Sequence, residues 1–180
     1  MPIKRIIQAA DFAAEKHRNQ RRKDIYQTPY INHPIEVANL LASVGGIEDE
    51  AMIIAALLHD TIEDTDTSAD EIEERFGKEV LGLVLELTDD KSLEKADRKR
   101  LQIENAPKKS SAAKQIKLAD KICNVSGMCT DSPAAWSRAR KIEYLDWAEK
   151  VVSGCFGVNE NLDELFRSRL EQSRENVGPE

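Results

Sequence analysis

The sequence is poor in the residues that would specify most special architectures. Only three cysteines occur, Cys123, Cys129 and Cys155. The number is odd and no C-x-x-C spacing is present, so neither a disulfide framework nor a zinc ribbon is signalled. They read as small core residues of a protein in a reducing compartment. Aromatics make up 5% of the chain, and there are three histidines, His17, His33 and His59. The longest apolar run, Ala51–Leu58, falls far short of the ~18 residues of a membrane-spanning helix. The N-terminal apolar pattern is interrupted by Asp11, Glu15 and Lys16, unlike a signal peptide. Positive charge is also in deficit. The 26 Lys and Arg face 33 Asp and Glu, a net charge of −7, which speaks against a general nucleic-acid binder. The expectation is a cytoplasmic protein with no membrane and no nucleic-acid partner. Nothing in the sequence signals an oligomeric state.

What is present is helical periodicity. A chain of 180 residues suits one domain with a real core, here taken as 1–180 with a frayed tail from 173 to 180. Ile3, Ile6, Ile7, Ala10, Ala13 and Ala14 fall on one face of a first helix. A polar stretch leads to His33-Pro34, with Pro34 at the first helical position, and that helix stops at Gly45-Gly46. Glu48 to Thr61 reads as a buried helix. Ser68 and Glu71 form a capping box. Apolar helices follow over Val80 to Leu87 and Ala112 to Met128, and between them lies a basic amphipathic stretch broken at Pro107. Pro133 starts a long helix ending near Gly154, and a last helix runs from about Asn159 to Ser173. The fold class is all-α: a compact single-domain bundle of eight to ten helices.

The chemistry sits where charge interrupts apolar pattern. His59 ends the longest apolar run and Asp60 follows at once. A charge in that place is costly unless something pairs with it. Glu63 and Asp64 lie one helical turn on. Three carboxylates then crowd one helix end, where they repel each other and oppose the macrodipole. A bound cation offsets both. His33 stands in Tyr30-Ile31-Asn32-His33-Pro34, and Asp120 interrupts another buried helix with Asn124 one turn beyond. Two imidazoles and two carboxylates, His33, His59, Asp60 and Asp120, make a mixed N/O site. Such a site suits Mn²⁺, Fe²⁺ or Zn²⁺ better than Mg²⁺ or Ca²⁺. Three histidines are too few for a second ion, so one divalent ion per chain is expected.

The ordered set is specific. It comprises Arg22-Lys23, Thr28 to Pro34, Leu58 to Thr65, Thr88 to Ser92 with Arg98 to Arg100, and Lys117 to Lys121. It resembles the hydrolase domain of the RelA/SpoT family, within the HD superfamily of metal-dependent phosphohydrolases. It is most similar to the stand-alone small alarmone hydrolases of the metazoan SpoT-homologue type. The resemblance implies hydrolysis of the 3′-pyrophosphate of guanosine tetra- and pentaphosphate, usually with Mn²⁺. It implies that the metal is held by His33, His59, Asp60 and Asp120, and that Glu63 and Asp64 act on the attacking water. It places Arg22 against the base. Lys23, Tyr30, Asn124, Lys91, Arg98, Arg140 and Tyr144 complete the implied contacts to a small-molecule nucleotide. The sequence departs from the family at Cys123, before Asn124, and at Val125, Ser126 and Gly127 after it. The alternatives are a broader nucleotide phosphatase, for example acting at the 2′-phosphate of NADPH, a non-haem iron oxygenase, and a non-catalytic alarmone-binding module. Glu63, Asp64 and the basic clusters favour phosphate chemistry, and no ligand position is lost.

Overall fold

Local sequence signals set four of the helix starts. Asp49 accepts from Met52 N, Ser68 from Glu71 N, Ser137 from Arg140 N and Asn159 from Leu162 N, each satisfying an otherwise orphaned amide of a first turn. The computed structural model describes residues 2–130 and 135–178. Among these residues it contains ten α-helices, one 3-10 turn and no strand. The helices are α1 Pro2–Lys16, α2 Asn32–Ser43, α3 Glu50–Leu58, α4 Thr61–Asp64 and α5 Ala69–Phe76. They continue as α6 Lys78–Leu87, α7 Lys95–Asn105, α8 Ser111–Thr130, α9 Arg138–Ser153 and α10 Glu160–Val177.

The core is built around α3. Met52 to Leu58 are all buried, because α1, α2, α6 and α8 pack around that helix. A helix apolar on every side has no solvent face to lose and is held rigidly. The longest helix, α8, runs past it and packs against α2, α9 and α10 as well. The two elements that carry His59 and Asp120 therefore come from the densest part of the molecule.

Several boundaries differ from the sequence reading. In α1 the buried face is Ala9, Phe12 and Ala13, while Ile3 and Ile7 are exposed. Phe12 sets the orientation by packing edge-on to Phe76. Pro34 lies in the first turn of α2 but not first in it, since the helix begins at Asn32. The apolar helix expected to reach Thr61 ends at Leu58 and restarts as α4. Pro133 falls outside the described residues, and α9 begins at Arg138 on its Ser137 cap. The last helix continues beyond Ser173 to Val177. There Ser173 Oγ donates to Val125 O at 2.9 Å, and Arg138 donates to the carbonyls of Val177 and Gly178.

The turn after α9 is a tight contact. A Cβ at Gly154 would stand 2.8 Å from Pro107 Cδ and 2.9 Å from Ala106 Cβ. Both neighbours belong to the 3-10 turn Ala106–Lys108 and cannot rotate away. Gly154→Ala is therefore expected to destabilise the fold by about 1–3 kcal/mol through overpacking. The check is urea unfolding; an unchanged midpoint would show that the turn yields freely.

Candidate metal centre and active site

The end of α3 is closed by its own side chains. His59 Nδ1 lies 2.8 Å from Ala56 O, and Thr61 Oγ1 donates to Leu58 O at 2.7 Å. These bonds satisfy carbonyls that a helix end leaves free. Because a carbonyl only accepts, Nδ1 of His59 carries a proton, and in the neutral ring the lone pair is left on Nε2. His59 Nε2 is buried and has no hydrogen-bond partner. Asp60 follows at φ −100°, ψ −3°, which breaks the helix and sends α4 in a new direction.

Around this lone pair the other predicted ligands converge. His59 Nε2 is 3.1 Å from Asp60 Oδ2 and 4.0 Å from Asp120 Oδ1. His33 Nε2 is 3.1 Å from Asp120 Oδ1 and 3.8 Å from Asp60 Oδ2. The ligand atoms of His33, His59 and Asp60 all lie within 4.8 Å of one another. Ligands bound at about 2.0–2.2 Å have neighbouring donor atoms roughly 3–3.5 Å apart, so the spacing fits one divalent ion. The orphaned Nε2 is an independent sign of fit, since an unpaired buried acceptor needs an explanation.

The electrostatics agree. Burial works against the imidazolium of His59, but the charge of Asp60 outweighs it and moves His59 up to about 9. Burial likewise opposes the Asp60 carboxylate, and the charge of His59 overcomes it, holding Asp60 well below the usual range. Asp120 is also held far below that range, against its burial, mainly by the Lys121 ammonium. Two ionised carboxylates thus favour positive charge at Nε2 of His59, which a proton supplies in the metal-free protein and a divalent ion would supply in its place.

Neighbours fix both carboxylates. Tyr30 donates to Asp60 Oδ2 at 2.5 Å. Lys121 donates to Asp120 Oδ2 at 2.9 Å and Asn124 Nδ2 to Asp120 Oδ1 at 2.6 Å. Tyr30, like Arg22 and Lys23, rides on the segment between α1 and α2. That segment is closed by Arg22 N to Thr28 O and Tyr30 N to Gln20 O, with Asp24 bonding Thr28 from within.

Two clefts meet beside this centre. One, of about 750 Å³, is lined by Arg22, Lys23, Tyr30, His33, Asp64 and Asn124. The other, of about 610 Å³, is lined by Glu63, Arg98 and Arg140, and Lys23 and Tyr144 border both. Of the predicted metal ligands His33 reaches the first cleft, while His59, Asp60 and Asp120 lie behind its wall; of the predicted substrate contacts only Lys91 lines neither cleft, and it forms an ion pair with Asp64. Glu63 accepts from Asp89 N at 3.2 Å and stands 3.7 Å from Arg98. Burial raises its proton affinity, and Asp89, Asp60 and Asp64 add to the shift. Cys123, Ser126 and Gly127 reach the first cleft, while Val125 belongs to the core. Arg22 passes over Gly127, where a Cβ would lie 3.6 Å from its Nη2. Its Nη1 pairs with Glu36 at 3.0 Å.

Some residues of the site carried no adequate signal. Trp136 borders both clefts, stacks under the Arg140 guanidinium at 4.4 Å and meets the Tyr144 ring edge-on. It stands outside any helix, so periodicity does not mark it. Lys121 is buried over the Trp147 ring; a lysine beside Asp120 in an apolar helix was the available clue. His17 and Gln20 also belong to the setting of the site.

Residues 9–145 match the HD domain family. The chain is 53% identical over 167 residues to guanosine-3′,5′-bis(diphosphate) 3′-pyrophosphohydrolase MESH1 of Homo sapiens, covering 93% of each chain. It is 51% identical to the Drosophila melanogaster protein of the same name, over 93% of this chain and 96% of that one. A solved structure of a metazoan ortholog of SpoT that hydrolyzes ppGpp superposes with a TM-score of 0.91 at 49% identity, over 93% of this chain and 94% of that one. Fold, site and sequence agree: the chain belongs to the HD domain family and, within it, to the group of stand-alone ppGpp hydrolases of the MESH1 type.

Proposed function

We propose that the protein hydrolyses guanosine 3′,5′-bis(diphosphate) and its pentaphosphate analogue, giving GDP or GTP and pyrophosphate, with one divalent ion, Mn²⁺. The observation that carries the reading is the cluster of His33, His59, Asp120 and the half-buried Asp60, which meets through His33 a cleft with Arg22 and Lys23 on its wall. The relatives named above supply the reaction. His33, His59, Asp60 and Asp120 would hold the ion, whose mixed N/O ligands suit Mn²⁺. When bound, such an ion lowers the pKa of water and polarises a phosphoryl oxygen.

The rest falls to the chain's own groups. The reaction breaks the bond between the ribose O3′ and the first phosphorus. The water oxygen ends on pyrophosphate, and a proton must reach the departing O3′. Glu63, its proton affinity raised by burial, is suited to take that proton and give it up. Asp64, on the wall of the metal-side cleft, orients the water. Tyr30 donates to the Asp60 oxygen that faces the histidines, and Lys121 holds the outer oxygen of Asp120. The planar guanidinium of Arg22 is suited to stack on guanine. Lys23, Lys91, Arg98 and Arg140 offset the phosphate charge, and Asn124 and Tyr144 meet the ribose side.

The direct test is purified protein with Mn²⁺ and ppGpp, with the products identified. Pyrophosphate and GDP are expected. Asp60→Ala should lose both the ion, by elemental analysis, and turnover, while circular dichroism stays helical. A metal-free variant with full activity would remove the centre from the mechanism.

Metal binding should depend on pH with a definite sign. The metal-free His59 is protonated below about 9, and the ion needs its lone pair. Affinity for Mn²⁺ should therefore rise with pH by about tenfold per unit for one displaced proton, levelling near that value. Titrations of the chelated protein at pH 7 and pH 8, with proton release recorded by a dye, measure this. An affinity that does not change between them would contradict it.

Glu63→Gln should keep the ion and lose about 10²–10⁴-fold in kcat. Because the carboxyl is raised, the acid limb that Glu63 sets in the wild type lies above the ordinary value of about 4.3. It should be absent in the variant. Parallel loss of metal and rate would place Glu63 among the ligands instead.

A further inference from the structure

Asp64 is held from two sides. Lys91 pairs with its Oδ1, and Gln20 Nε2 donates to its Oδ2 at 3.1 Å. Gln20 is in turn held by His17, whose Nδ1 is 2.6 Å from Gln20 Oε1. The hydrogen-bond directions are forced. A carboxylate only accepts, so the amide turns its NH₂ group to Asp64 and its oxygen to His17. That oxygen also only accepts, so His17 carries its proton on Nδ1. His17 is 2% exposed, and burial holds the ring below the ordinary imidazole value, in the neutral form.

The two ends of the link differ in stiffness. Lys91 is half exposed and ends a flexible stem that sets a charge but not a direction. His17 is fixed at the end of α1: its backbone amide donates to Ala13 O, and its carbonyl accepts from Gln20 N. Its ring lies 4.9 Å from that of Tyr30. Its Nε2 is buried without a hydrogen-bond partner. An apolar residue would fill this place without leaving an unpaired acceptor, so the one use of the histidine visible here is the Nδ1 donor. None of the steps described above uses it.

We infer that His17 is a positioning residue for the hydrolysis: with Gln20 it forms a rigid link from α1 that aims the Asp64 carboxylate at the attacking water. The inference rests on the reading of Asp64 given under the proposed function. The link acts through direction and not through charge, since both of its members are neutral.

The test is kcat, KM and Mn²⁺ content for His17→Leu, His17→Asn, Gln20→Leu, Asp64→Asn and the double variant His17→Leu/Asp64→Asn. His17→Leu and Gln20→Leu should each lose roughly 10- to 100-fold in kcat, the scale of a misplaced reacting group, with KM and metal content unchanged. His17→Asn should recover most of the rate, because its amide nitrogen occupies the place of Nδ1. The double variant should be no slower than Asp64→Asn alone, as coupled residues require. Additive losses, an Asn variant no better than Leu, or metal lost in step with rate would overturn the inference while leaving Asp64 in place. A fully active Asp64→Asn would overturn both, since the link would have nothing to aim. Should His17→Leu fail to fold, Gln20→Leu breaks the same link from its half-exposed side and decides alone.

Discussion

The bond from His59 Nδ1 to Ala56 O, 2.8 Å long, organises the site. It ends α3 by satisfying a carbonyl of the last turn, and in doing so it fixes the tautomer that leaves Nε2 as a lone pair. It also sets where Asp60 falls, since the chain turns there and α4 restarts at Thr61. Without that turn, Glu63 and Asp64 would continue along the α3 axis. With it they stand beside the two clefts. The bond can do this because α3 cannot move: Ile54 to Ala56 and Leu58 are fully buried among four other helices. A ligand set built on such a helix is held more firmly than one built on loops.

Much of this was legible in the sequence, because burying charge is expensive. Asp60 and Asp120 each interrupt an apolar helix, and that expense singled them out before any fold was known. The cap at Ser68 and the start of the last helix near Asn159 were legible for a local reason, since a helix start is signalled by a few consecutive residues. The break at His59 was not. Ile62 carries the apolar pattern past it, and the helix is ended by side chains whose alternative is simply to continue. The face of α1 was illegible for a different reason. Ile3 and Ile7 share the helical period of the buried residues, and only the placement of the neighbouring helices decides which of them is covered. Trp136 and the partners of Arg22 and Glu63 depend on the meeting of distant segments, which periodicity does not encode.

The charges around the clefts follow a common pattern. Arg22 pairs with Glu36, Arg98 lies by Glu63, Lys91 pairs with Asp64 and Lys99 with Glu143. A protein of net charge −7 thus keeps a cluster of cations near its metal centre without a large local excess of either sign. The pairs with a half-exposed member, Arg22–Glu36, Lys91–Asp64 and Lys99–Glu143, are worth about 0–1 kcal/mol each, so exchanging a carboxylate for a phosphate there costs little. The gain per exchange is also small, because one charge-assisted bond replaces another. On the proposed function, a ligand with a single phosphate therefore displaces one carboxylate for little net benefit. A ligand with a diphosphate on each side of its ribose engages several cations at once, and its later contacts carry no further translational cost. Selectivity for a polyanion then arises from the number of exchanges rather than from the strength of any one, and an acidic protein can hold an acidic substrate.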